Sequence, residues 1–197
     1  PAGGVVMLDG GVWPVRIRNF VDPVTALFGE QLRAARAPRA IILDLRGNPG
    51  GRVEEAALLA DRFLSSGVIV TTKRRSGGDA TNLATATADD LSMPVAVLID
   101  SDTASAAEIV AGALRDTSRA KLFGRTSYGK GSVQRQFLYE DGSALKLTVG
   151  RYYLPSGAPI LDHAGLLPDI AVPAALSADG LDQDIAAAQI WLRSVKK

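Results

Sequence analysis

Apolar and polar positions along this chain alternate in short runs and regroup at helical spacing in the segments between them. Over residues 12–18, Val15 and Ile17 alternate with Arg16 and Arg18, the period of a strand with one wet face. Asp22 and Pro23 then supply an N-cap and a first-turn proline. Val24, Leu27, Phe28, Leu32 and Ala35 recur at helical spacing until Pro38 closes the segment. Residues 40–45 are apolar except for Asp44, as expected of a strand covered on both faces. After Asn48-Pro49-Gly50-Gly51, the spacing of Val53, Ala56, Ala57, Ala60, Phe63 and Leu64 predicts a helix that ends by Gly67.

The second half repeats the rhythm. Residues 68–72 read as a strand, and 75–92, polar and rich in Gly, Ala, Thr and Asp, as a mobile excursion that borders a cleft. Residues 95–99 form another buried strand, leading into a helix that starts near Ser105, and 121–124 a short strand after it. Alternation of strand and helix at these loop lengths predicts an α/β fold with right-handed crossovers and a largely parallel sheet. Residues 133–139 and 143–149, joined across Asp141-Gly142, read as a β-hairpin. Asp182 is placed to cap a last helix carrying Ile185, Ala188, Gln189 and Leu192.

Length and composition narrow this picture to one domain. A chain of 197 residues with 47% hydrophobic and 22% charged side chains supports one substantial core over 1–197, with 1–11 and 174–197 peripheral. Twenty-two basic against twenty-one acidic residues leave a formal charge of +1, which gives no electrostatic reason to expect nucleic acid or an anionic membrane as partner. Lys73-Arg74-Arg75 reads as solvated loop. No apolar run approaches the roughly 18–20 residues of a bilayer span, and the start carries no signal-peptide pattern, so the chain as given is expected to be soluble. Pro1 in place of a methionine suggests a trimmed or matured chain. Absence of cysteine excludes disulfides, thiol catalysis and thiolate zinc sites without fixing a compartment.

Two residues carry the candidate chemistry. Ser105 lies at the expected first turn of a helix and Lys130 between two glycines in Tyr128-Gly129-Lys130-Gly131-Ser132. A serine hydroxyl is a poor nucleophile unless a base takes its proton, and an unprotonated lysine is one of the few side chains that does so. The only histidine, His163, has no acidic partner at convincing spacing. Each residue also has a plain structural reading. Ser105 with Glu108 fits a capping box, and Lys130 fits a solvated turn. An ordinary lysine of pKa about 10.4 is protonated at pH 7, so a basic role demands burial; lowering the value to about 7 takes roughly 4–5 kcal/mol, for which Tyr128, Val133 and Phe137 are the apolar cover at hand. The Ala106 amide at the helix start faces any charge developing at Ser105, and the glycines of 48–51 either make a simple turn or bring a second amide, that of Gly51, to a substrate carbonyl. Asp44 and Arg46 read as a strand-end pair. Scattered carboxylates and one histidine offer no metal-ligand spacing, and Gly129-Lys130-Gly131-Ser132 lacks the upstream glycine of a phosphate loop, since position 125 is arginine.

Four stretches carry a resemblance to a known family. They are 41–51, ending in Arg46-Gly47-Asn48-Pro49-Gly50-Gly51; 102–114 around Ser105; 129–134; and 141–148 with Arg151-Tyr152-Tyr153 and Pro155-Ser156-Gly157. In order and spacing they resemble the C-terminal processing (tail-specific) proteases, and the likeness spans about 12–172. The resemblance implies a ββα core related to the crotonase and Clp-peptidase folds. It implies Ser105 as nucleophile, Lys130 as general base, Gln134 as the residue orienting the lysine, and the amides of Gly51 and Ala106 as oxyanion hole. A fully extended chain would set Gln134 about 13 Å from Lys130, so a bend near Gly131 is required. An amide there holds a neutral amine without the negative charge that would raise the lysine pKa.

The likeness further implies endopeptidase action on proteins near apolar carboxyl ends, no cofactor and no metal, and an extracytoplasmic place of action: periplasm, cell envelope or organelle lumen. Family members usually carry a PDZ domain ahead of this segment. The chain has no room for one, so either such a module or regulatory partner is missing or substrate selection works otherwise; if the missing module normally assembles the site, the isolated core is expected to hold Lys130 and Ser105 apart, with weak activity on small substrates. Two alternatives stay open on the residues alone, a crotonase-like acyl-thioester enzyme and a non-catalytic peptide-binding relative.

Overall fold

The computed structural model describes residues 6–21, 23–87, 89–173 and 182–195. Five strands, β1 (Val12–Arg16), β2 (Ala40–Asp44), β5 (Val95–Ile99), β6 (Ala120–Gly124) and β9 (Ile170–Ala171), form an entirely parallel sheet in the order β1-β2-β5-β6-β9. β2 and β5 are buried at every position, which is why they read as apolar runs and not as alternations. Alternate residues still sort to two faces. Ile41, Leu43, Val95, Val97 and Ile99 join a core with α1 (Val24–Ala34), α2 (Val53–Asp61) and α3 (Ala106–Asp116), whereas Ile42, Ala96, Leu98 and Phe123 pack under α4 (Gln183–Ser194).

A second, antiparallel sheet comprises β4 (Ala80–Leu83), β3 (Val68–Arg74), β8 (Ala144–Tyr153) and β7 (Ser132–Leu138), in that order. Its inner end adds Ile69, Val70, Tyr152 and Leu154 to the larger core. The β7–β8 hairpin turns at Asp141-Gly142 as expected, with a bulge between Val133 and Gln134, and its outer half is exposed on both faces. Two expectations need correction. The polar excursion after residue 75 contains β4, paired with β3 through Thr71–Thr81 and Thr72–Ala80, where β-branched Thr81 faces the Thr71 hydroxyl at 3.1 Å on a part-exposed edge. Lys73 and Arg74 are likewise strand rather than loop, and Lys73 lies over the Tyr153 ring at 4.3 Å.

Asp182 caps α4, accepting from the amides of Asp184 and Ile185. The helix lies within the segment expected at the periphery, and it buries Ala188 and Leu192. The expected cap at Asp22 falls outside the described residues.

Candidate functional site

The site gathers where β2, β5 and β6 end. Asp44 and Arg46 form the anticipated pair, with the guanidinium bidentate on the carboxylate at 2.9 and 2.8 Å. Arg46 also binds Asp182 and Asp184, and Arg125 binds Asp184 at 2.6 Å. This network ties the end of β2 to α4. Hydrogen bonds donated to Asp44, working against burial, push the Arg46 pKa up. For Asp182 burial works upward, yet the Arg46 guanidinium and the two capped amides hold its carboxyl below the usual range.

Beyond Arg46 the chain turns at Asn48 and runs back along the start of α3. Gly50, at φ +99°, lies so close that a Cβ there would sit 2.8 Å from Ser105 Cβ and 2.9 Å from the Ala106 nitrogen. Only glycine allows that approach. Gly51 is exposed, and its N–H has no partner among the described residues. Ser105 is the N-cap of α3, half-buried, with φ +55° and ψ −118°, a backbone strain uncommon for a residue with a side chain.

Glu108, wholly buried, binds the nucleophile turn to the lysine loop. Its Oε2 accepts the Ser105 N–H at 2.8 Å and the Lys130 N–H at 2.8 Å; its Oε1 accepts the Gly129 N–H at 2.8 Å and the Ser127 hydroxyl at 2.6 Å. Two bonds to one oxygen keep the backbone nitrogens of Ser105 and Lys130 within twice that length of each other. The lysine loop rests in turn on the 160–166 segment: His163 N–H donates to the Gly129 carbonyl at 2.9 Å, and Gly131 N–H to Asp162 Oδ1 at 3.1 Å. A Cβ on Gly131 would run into the Ile160 carbonyl oxygen, so the close approach of these two segments depends on glycine.

Lys130 and Gln134 line one cleft of about 730 Å³ together with Tyr128, Asp162, Pro49 and Ala104. β7 carries a bulge between Val133 and Gln134 on its way along this cleft. The lysine itself is exposed. Tyr128 and Phe137 are 48% and 36% exposed, so the apolar cover expected from them is not in place, and no hydrogen bond joins the Ser105 hydroxyl to the Lys130 amine.

Peptidase family S41 matches residues 12–172. The chain belongs to this family. Similar proteins include a carboxy-terminal-processing protease of Bartonella bacilliformis, 45% identical over 136 residues (68% of this chain, 31% of that protein). The chloroplastic carboxyl-terminal-processing peptidase 2 of Arabidopsis thaliana is 42% identical over 84% of this chain and 32% of its own length. The carboxy-terminal processing protease CtpA of Bacillus subtilis is 33% identical over 83% and 35%. Among solved structures, the photosystem II D1 C-terminal processing protease superposes on 90% of this chain and 49% of that one, with a TM-score of 0.76 and 28% identity. The chain thus spans about a third of the length of these curated relatives.

The S41 core therefore has the mixed α/β architecture expected from sequence, a parallel sheet with an antiparallel one beside it. Ser105, Ala106 and the Gly50–Gly51 loop are adjacent, and Lys130 and Gln134 share a cleft wall. Sequence reasoning gave Glu108 only a capping role and passed over Asn48, Ser127 and Asp162. The Ser-x-x-Glu spacing was the one signal for Glu108, and nothing local pointed to its contacts with 127–130. No group of residues that could hold a metal ion occurs among the described residues, and no described helix is long and apolar enough to cross a membrane.

Proposed function

We propose that this chain is the catalytic core of a serine endopeptidase that cuts protein substrates near their carboxyl ends. Ser105 is the nucleophile, Lys130 the general base, Gln134 the residue that orients the lysine, and the amides of Gly51 and Ala106 the oxyanion hole. The observation that carries this is Ser105 strained at the mouth of α3 with the Gly50–Gly51 loop against it, sharing one Glu108 oxygen with the Lys130 backbone. Membership of S41 and relatives named as carboxy-terminal processing proteases support the same assignment.

In the reaction, neutral Lys130 takes the Ser105 proton as the oxygen attacks the peptide carbonyl. Charge on the carbonyl oxygen meets the two amides. Collapse breaks the C–N bond, and the lysine ammonium returns its proton to the departing amine. Water then attacks the acyl ester by the same route, restoring the serine. The chemistry as written needs no metal or cofactor. Lys130 is exposed, and the step as written requires water to be excluded from the cleft, by a substrate segment with an apolar tail or by a further part of a longer protein such as a PDZ domain. Weak activity on short peptides follows. The chloroplastic relative supports action outside the cytoplasm, in an organelle lumen, cell envelope or periplasm.

Hydrolysis of peptides ending in small apolar residues, compared for the parent, Ser105→Ala and Lys130→Ala, tests the assignment. Cleavage is expected in the parent alone. Undiminished cleavage by Ser105→Ala would overturn it, and acyl-thioester turnover surviving that change would point instead to crotonase-like chemistry.

A further inference from the structure

Asn48 is wholly buried although it stands in a loop, and every polar group it has is engaged. Its Nδ2 donates to the Ile17 carbonyl at 2.9 Å and its Oδ1 accepts the Gly50 N–H at 2.8 Å. Its own N–H donates to the Leu45 carbonyl at 3.1 Å, and its carbonyl accepts the Ala104 N–H at 2.9 Å. A turn needs no buried side-chain amide, and burying one costs free energy unless both ends are satisfied. Here they are satisfied by two separate segments: the chain leaving β1 and the oxyanion loop.

The consequence is directional. Asn48 Oδ1 occupies the Gly50 amide, and the Phe20 N–H occupies the Gly50 carbonyl at 2.9 Å. The peptide between Gly50 and Gly51 is trans, so the Gly51 N–H points opposite to that carbonyl, away from Phe20. Among the described residues it is left as the loop's unpaired donor. Through its backbone carbonyl the same residue holds Ala104, which immediately precedes the nucleophile.

We infer that Asn48 is the positioning residue of the oxyanion hole: its buried amide fixes the 50–51 peptide so that Gly51 N–H and the Ser105–Ala106 turn stay in register. This rests on the peptidase reading above. Asn48→Asp keeps size and the acceptor for Gly50 but sets an oxygen against the Ile17 carbonyl. Asn48→Ala removes both bonds.

The test is the rate of Ser105 modification by a peptidyl phosphonate over a range of concentrations, scaled to folded protein, for the parent, Asn48→Asp, Asn48→Ala, Ser105→Ala and Leu192→Ala. Leu192, a buried residue of α4 that does not line the cleft, controls for lost stability. The limiting rate should fall about 10²–10³-fold in each Asn48 variant, the size of a lost oxyanion donor, with the half-saturating concentration unchanged and Leu192→Ala at the parental rate. If the parent labels and Ser105→Ala does not, yet the Asn48 variants label at the parental rate or lose only half-saturation, the inference alone falls. If the parent fails to label at Ser105, the peptidase reading falls and takes the inference with it. Should neither Asn48 variant fold, amide exchange in the parent decides: a protected Gly50 amide beside a fast Gly51 amide supports the inference, and equal exchange overturns it.

Discussion

Replacing Glu108 by glutamine should cost far more than the loss of one charge suggests. The carboxylate is wholly buried and accepts four hydrogen bonds, two at each oxygen. Glutamine keeps one oxygen. At the Oε2 position its NH₂ would face the amides of Ser105 and Lys130, two donors; at Oε1 it faces the Gly129 amide, while the Ser127 hydroxyl can turn to accept from it, so at least one bond is lost and the other three are no longer charge-assisted. Hydrogen bonds to a charged group contribute about 1.5–3 kcal/mol each against about 1 kcal/mol for neutral ones, so one lost and three weakened bonds amount to roughly 3 kcal/mol or more, a large share of the ~5–15 kcal/mol that stabilises a domain. Urea unfolding followed by tryptophan fluorescence would measure it, with a Tm fall of about 10 °C or more for a chain of this size. Activity should fall with it, because the same bonds hold the nucleophile turn to the lysine loop. A change below about 1 kcal/mol at unchanged m-value would refute the view of Glu108 as the tie between the two.

Gly50→Ala should abolish peptide cleavage while the protein still folds, since its Cβ would press on Ser105 and Ala106 at an unfavourable positive φ; kcat at the parental level would contradict this. Gly131→Ala should shift the lysine loop and lower kcat, its Cβ having no room against the Ile160 carbonyl, and peptide turnover measured beside circular dichroism separates that from unfolding. Asp182 has a depressed carboxyl pKa, so its contribution is fully present above the ordinary value near 4 and is lost as pH falls through the lower folded value. Asp182→Asn should therefore lower Tm at pH 7, with the difference from the parent shrinking in acid; a constant difference down to pH 2 would count against it.

Much of the fold was legible because each element announces itself by period. β2 and β5 are apolar throughout, the hairpin turn is an Asp-Gly pair, and the α4 cap is an aspartate just before an apolar pattern. β9 was missed because two residues carry no period, and β4 because an exposed edge strand of small polar residues looks like loop. At the site, Ser105, Lys130 and the glycine loop stood out by residue type and by resemblance. The four donors around Glu108 lie up to twenty-two positions from it along the chain, a convergence that no local pattern encodes. The expectation of a buried Lys130 failed for a related reason. Tyr128 and Phe137 have the right chemistry for cover, but the hairpin carries them outward, and sequence spacing does not set that direction.

The most direct test of a serine activated by a lysine is to locate the covalent adduct left by a serine-directed phosphonate, by intact mass and peptide mapping, across a pH series. The adduct should lie on Ser105, form faster as pH rises, and be lost in Lys130→Ala. An adduct on another residue, or equal labelling of Lys130→Ala at every pH, would contradict the account.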